Sequence, residues 1–218
     1  MKKQLSFLIL PFCFFLSNCI TNLQECPVDT IKLETECSST KRKYEADKDL
    51  LTLTVIGSSL ASTYSGTLSG NALEFYNILV AYRANGTYTS SNGTNYTFSN
   101  SSKCSGTTSD NGALNRAAQK HTENMILYNL FSHTGYDGTS PTDRVKAEGL
   151  NVGAGENIAA GQTTAESVFN SWWNSSGHRS NMENCNYTHV GIGYANKNSI
   201  NANADYSVYW TNVFATIN

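Results

Sequence analysis

Three side chains in this sequence have the types that could act together on a ligand: His133, Glu156 and His178. His133 follows Leu130-Phe131-Ser132 and precedes Thr134-Gly135, just past a run that reads as a helix. A histidine there sits at the surface of a core, where clefts open; helix-end capping is the ordinary alternative. Glu156 lies in GAGENIAAG (153–161), a carboxylate among small residues whose glycines let other groups come close. The plain alternative is an exposed loop acid. His178 stands between Gly177 and Arg179 in SWWNSSGHRSNM (171–182), so it reads as presented on a turn, or as capping the helix that carries Trp172. Two neutral imidazoles and a carboxylate can bind a divalent cation such as Zn²⁺ with water in an open position. The same set could instead do acid–base work, since histidine titrates near neutral pH.

The other candidates are weaker. His121 falls on the apolar stripe Leu114, Ala118, His121, Met125, Tyr128 and reads as a satisfied structural histidine. His189 begins a strand-like run and reads as a surface or edge residue. Ser175 and Ser176 lie close to His178 without an obvious orienting acid, which argues against a serine hydrolase. No Gly-x-Ser-x-Gly elbow, phosphate loop, His-Glu-x-x-His or dinucleotide fingerprint occurs.

These residues need elements to position them. ALEFYNILVAYRA (72–84) is apolar on most faces and predicts a buried helix. ALNRAAQKHTENMILYNLF (113–131) is the best amphipathic helix. Ser140 before Pro141 opens a short helix through Glu148 that stops at Gly149, and TAESVFNSWW (164–173) is another. HVGIGYA (189–195) and DYSVYWTNVFAT (205–216) read as strands joined by a polar turn. The stretch 85–112 has the Ser/Thr/Asn/Gly composition of a mobile surface loop tethered by Cys104. Residues 20–70 hold one expected strand, 49–57, and a Ser/Thr/Gly linker. Helices flanking a small antiparallel sheet make an α+β architecture.

With 15% charged residues and a net charge of −2, a basic nucleic-acid footprint is excluded. Lys2 and Lys3 precede the apolar run LSFLILPFCFFL (5–16), too short for a membrane span of roughly 20 residues. It reads as a signal peptide, residues 1–19, cut after Cys19. The rival is a lipoprotein, because Leu16-Ser17-Asn18-Cys19 faintly resembles a lipid-attachment box. Beyond the signal, Cys26, Cys37, Cys104 and Cys185 remain, and an even number in an exported chain suggests two disulfides with three possible pairings. The short loop favours Cys26–Cys37, leaving Cys104–Cys185. Sequons at Asn85, Asn92, Asn95, Asn100, Asn174 and Asn186 make a glycoprotein possible in a eukaryotic host.

The ordered series FSHTGYDGTSPTDRVKAEGL (131–150), GENIAAG (155–161), SWWNSSGHRSNM (171–182), VGIGYA (190–195) and YWTNVF (209–214) resembles the CAP superfamily. That family groups cysteine-rich secretory proteins, antigen 5 and plant pathogenesis-related proteins of class 1; the match is closest to its SCP-like branch. It covers residues 72–216. The resemblance implies a three-layer α-β-α sandwich with a central antiparallel sheet over residues 71–218. Against that domain, 87–109 is an insertion and 20–70 an N-terminal extension. It also implies a cleft with two histidines and two acids, the histidines holding a divalent metal in some members. His133 matches the first histidine and Glu156 the first acid. His178 matches the second histidine, supported by the 13-residue step from it to Gly191. The second acid falls at Ser175, a departure that weakens any mechanism needing two carboxylates; Glu183 and Glu166 are the candidate substitutes.

For function, the resemblance favours a secreted, extracellular, non-enzymatic binding module, monomeric, with a lipid, sterol or protein ligand. The alternative is a metal-dependent hydrolase or peptidase with His133 and His178 on the metal and Glu156 activating water. A third reading makes the His/Glu set a polar network that rigidifies the fold.

Overall fold

The computed structural model describes residues 65–99 and 103–218. The expected signal peptide, the strand over 49–57, Cys26 and Cys37 lie outside the described residues. In chain order the elements are α1 (Gly70–Asn85), β1 (Thr87–Thr89), β2 (Asn95–Thr97), β3 (Ser109–Asp110) and α2 (Gly112–Leu127). There follow α3 (Pro141–Ala147), β4 (Ala154–Ala160), α4 (Ala165–Trp173), α5 (Ser176–Glu183), β5 (His189–Asn196) and β6 (Val208–Ala215).

Local chemistry sets most of these boundaries. Asn111 caps α2 by accepting from the Ala113 and Leu114 amides. Ser140 and Asp143 form a reciprocal capping box on α3 with Pro141 in the first turn, and Thr164 and Ser167 do the same on α4. Helix α1 ends where Gly86 takes φ 72° and returns its amide to Tyr82 O. Helix α2 stops at Leu127, four residues short of the expected end, because Asn129 turns into the left-handed region at φ 47°.

The main sheet runs β3-β5-β6-β4, antiparallel except for the two-residue β3, which pairs parallel with β5. Alternation along β6 sorts the two cores. Trp210 and Phe214 pack with Phe75, Phe169, Trp172 and Val190 under α1, α4 and α5. Tyr209, Val213 and Ala215 face the other way, toward Leu114, Ala118, Met125 and Ile126 of α2 and Val145 of α3. This is the three-layer α-β-α sandwich. Gly191 and Gly193 lie beneath α2 so closely that a Cβ at either would overlap the backbone of Leu114 or Ala118. The Gly-Ile-Gly alternation thus places one helix flat on the sheet.

The stretch expected to be a mobile loop is built differently. β1 and β2 pair as a hairpin, Tyr88 opposite Tyr96. Those rings stack on each other and set their edges against Phe169, with Tyr96 also against Trp173. Cys104 joins Cys185 in a disulfide, as expected. Two tyrosines per hairpin face outweigh a composition that otherwise reads as loop.

Candidate functional site

The site forms at the free edge of β4, the outermost strand. Along β4, Glu156 and Ile158 point to the α2 layer and Asn157 to the α5 layer, so the strand touches both helical layers at once. Glu156 was expected in an accessible loop; it is instead a strand residue only 7% exposed, because the small residues around it are the strand's own.

A buried carboxylate has to be fully partnered. His133 Nδ1 donates to Glu156 Oε1 at 2.8 Å, and Arg144 donates to Oε2 at 2.6 Å. Arg144 also donates to His133 O at 3.1 Å and Thr139 O at 2.9 Å, so one guanidinium fixes both the acid and the loop carrying the histidine. The His133 ring itself is 51% exposed. His121 lies beneath, its Nε2 donating to Ser132 O at 3.0 Å and 3.8 Å from Glu156 Oε1. Burial pulls its pKa down to about 4 against the opposing pull of the Glu156 charge, so the ring is neutral at pH 7. Its Nδ1 is buried with no partner, so the expectation of a satisfied structural histidine holds for one ring nitrogen only.

His178 approaches from the other layer. It is helical, in the first turns of α5, not on a turn as Gly177 suggested. Its carbonyl accepts from Asn157 Nδ2 at 3.0 Å, and Asn181 Nδ2 reaches Asn157 Oδ1 at 2.9 Å, stitching α5 to β4. The ring is half-buried with Nδ1 unpartnered; burial first, and the nearby His133 second, lower its pKa. The two tryptophans of the opening motif are the scaffold. Trp172 donates Nε1 to Ile158 O at 3.0 Å, and Trp173 donates to Tyr82 Oη while Arg179 lies over its ring at 5.1 Å.

Ser175, at the position of the missing second acid, precedes α5 without a side-chain capping bond. Neither proposed substitute reaches the site. Glu183 accepts from Tyr82 Oη at 2.6 Å, and Glu166 accepts from Tyr88 Oη at 2.7 Å and from Ser91. His189 begins β5, half-buried, with Nδ1 beside Thr188 Oγ1 at 2.9 Å.

Among the described residues no three His, Cys, Asp or Glu side chains gather closely enough to hold a metal ion. With both oxygens of Glu156 engaged, the donors left are the rings of His133 and His178. A carboxylate on the far nitrogen of a histidine is the arrangement that orients a metal-binding imidazole, so the residues fit a two-histidine metal site with Glu156 behind one ligand. Arg144, Asn157 and Asn181 were missed by sequence reasoning. Arg144 was findable once Glu156 was taken as buried, since such an acid needs a cation.

The model of the cysteine-rich secretory protein family matches residues 81–214. The chain belongs to the CAP family. It is similar to YkwD of Bacillus subtilis (strain 168), 43% identical over 88 residues, 40% of this chain and 34% of that protein. Of solved structures, it resembles an SCP-domain extracellular protein of Bacillus anthracis (27% identity, TM-score 0.44, 51% of this chain and 34% of the other). A second is a cysteine-rich secretory protein of Staphylococcus aureus (16%, TM-score 0.42, 67% and 38%). The chain thus spans about a third of the length of the curated relative and of the first of these structures. No helix among the described residues is long and apolar enough to cross a membrane.

Proposed function

We propose that this CAP protein is a secreted, extracellular binding module whose cleft at the β4 edge holds a divalent cation on His133 and His178. The observation that carries the reading is the His133–Glu156 bond of 2.8 Å with Arg144 on the second oxygen. A carboxylate with one oxygen on an imidazole and the other on a buried guanidinium is placed to position that imidazole rather than to activate water. That weighs against the hydrolase reading, as does the serine in place of a second acid. A bound cation would supply Lewis acidity for capturing an anionic or carbonyl ligand group, while Arg144 ties the His133 loop to β4 and Asn181 ties α5 to it. Lipids, sterols and extracellular proteins are the ligand classes the family suggests.

The test is a calorimetric Zn²⁺ titration of the wild type, His133→Ala and His178→Ala. One saturable site, lost in both variants, is the expected result, and Glu156→Gln should weaken it by about 10–100-fold. Absence of saturable binding in the wild type overturns the metal reading.

A further inference from the structure

Around His133 the surface carries aromatic rings that the site described above does not use. Tyr136 is 58% exposed, Phe131 49% and Tyr206 44%. Phe131 and Tyr136 flank His133 in one loop, and Tyr206 comes from the loop before β6. The two loops are tied by Asp205 N donating to Asn129 Oδ1 at 2.9 Å, and Phe131 lies 6.2 Å from Tyr206. Tyr136 stacks coplanar on Tyr128, 4.0 Å between centroids and 4° between planes, and Tyr206 stands edge-on to the buried Tyr209. Tyr136 and Tyr206 are thus braced from behind while much of each remains in water, and Phe131 leans on Tyr206.

We propose that these rings form a carbohydrate subsite beside His133, taking a neutral oligosaccharide. The proposal extends the binding-module reading to a ligand class and rests on it.

Three considerations select this occupant. The first is size. An aromatic side chain has roughly 150–250 Å² to bury, so three half-exposed rings offer on the order of 300 Å². A stable protein interface needs about 800 Å² per partner, which this rim does not reach, whereas two or three sugar rings need no more than it offers. The second is charge. Residues 128–137 and 200–207 contain no Lys or Arg, and their only acids are Asp137 and Asp205. Lys197 reaches the second loop, but its Nζ is taken up by Ala204 O at 2.9 Å, so the ring-bearing loops themselves form a rim that suits an uncharged ligand better than a phosphate or a sulfated glycan. The third is chemistry. Sugar rings present flat C–H faces edged with hydroxyls. The tyrosine and phenylalanine faces match the former, and Asn129, Asn203, Asp205 and the tyrosine hydroxyls can exchange hydrogen bonds with the latter. Because the two tyrosines are already braced, they lose little rotamer freedom on binding.

The experiment is titration of the full chain with cellohexaose, N-acetylchitohexaose and mannohexaose, followed by calorimetry and tyrosine fluorescence. Saturable binding to at least one is expected, weakened about tenfold or more in Tyr136→Ala and in Tyr206→Ala. Zn²⁺ binding should be unchanged in both variants. Should one variant lose its fold, Phe131→Ala carries the same comparison. No binding to any of the three sugars, or binding indifferent to the rings, overturns the proposal even if Zn²⁺ still binds. Ring-dependent capture by phosphatidylcholine vesicles without sugar binding overturns it too. Ring-dependent sugar binding by a chain that fails to bind Zn²⁺ sustains the subsite and sinks the metal reading alone.

Discussion

The Arg144 guanidinium donates to Glu156 Oε2 at 2.6 Å where the two side chains are 8% and 1% exposed. Such a pair is worth little against a well-packed apolar replacement, but removing one partner strands the other in a dry environment. Glu156→Ala should therefore lose about 3–5 kcal/mol by urea unfolding. Glu156→Gln with Arg144→Met should recover much of that. A Glu156→Ala loss near zero would mean that water reaches the pair.

His121 supplies a pH dependence of definite sign. Its pKa falls from the ordinary 6.5 to about 4 on folding, chiefly by burial. Between those values the unfolded chain binds a proton that the folded chain refuses, so stability falls as the pH is lowered through this window. It is undiminished by this group above it. The full effect is about 3 kcal/mol, reached below about pH 4. His121→Gln, which keeps a donor for Ser132 O, should flatten the slope of unfolding free energy between about pH 6.5 and 4 relative to wild type. Parallel slopes for the two proteins would refute the assignment.

Helices α1 to α4 and the last two strands were legible because their signals are local, whereas α5 was read as a turn from Gly177. Asn111, the Ser140-Pro141 pair and Thr164 each cap the helix they precede, and Gly191 and Gly193 mark where a backbone comes close. The site was legible only as a set of residue types. His133, Glu156 and His178 could be named, but Glu156 was read as a loop acid because runs of Gly and Ala suit a loop as well as a narrow edge strand. The cation that holds it lies on helix α3, twelve residues away. Composition misled most at 85–112, where two tyrosines among many polar residues decide the outcome by packing on Phe169, a partner remote in sequence.

Cys104–Cys185 spans 81 residues of sequence and ties the chain after the hairpin to the end of α5. A cross-link over such a loop restricts the unfolded chain by about 4 kcal/mol in the chain-entropy account. Cys104→Ser with Cys185→Ser, or reduction of the wild type, should lower the melting temperature markedly. Because α5 carries His178, Zn²⁺ affinity should fall in the same variants. Unchanged melting would show that the packing of Arg83 holds this end of α5 unaided. Arg83 is buried and donates to Met182 O at 2.8 Å and Asn184 O at 3.1 Å.

Glu166 gathers the hairpin onto α4 through the Tyr88 hydroxyl, the Ser91 amide at 2.7 Å and the Ser91 hydroxyl at 2.5 Å. Those hydrogen bonds hold its carboxyl below the usual range, the Ser91 hydroxyl contributing most. The carboxylate is near the surface, so its removal should matter locally more than globally. In Glu166→Ala the turn at 90–94 loses its anchor while the Tyr88–Tyr96 stack on Phe169 stays. Limited proteolysis should then cut the hairpin turn faster than in wild type, with the melting temperature of the sandwich little changed. Equal cutting rates would assign the ordering of the hairpin to the aromatic stack alone. A collapse of the melting temperature would instead make the hairpin part of the cooperative core, which its packing against Phe169 and Trp173 leaves as the sharper alternative.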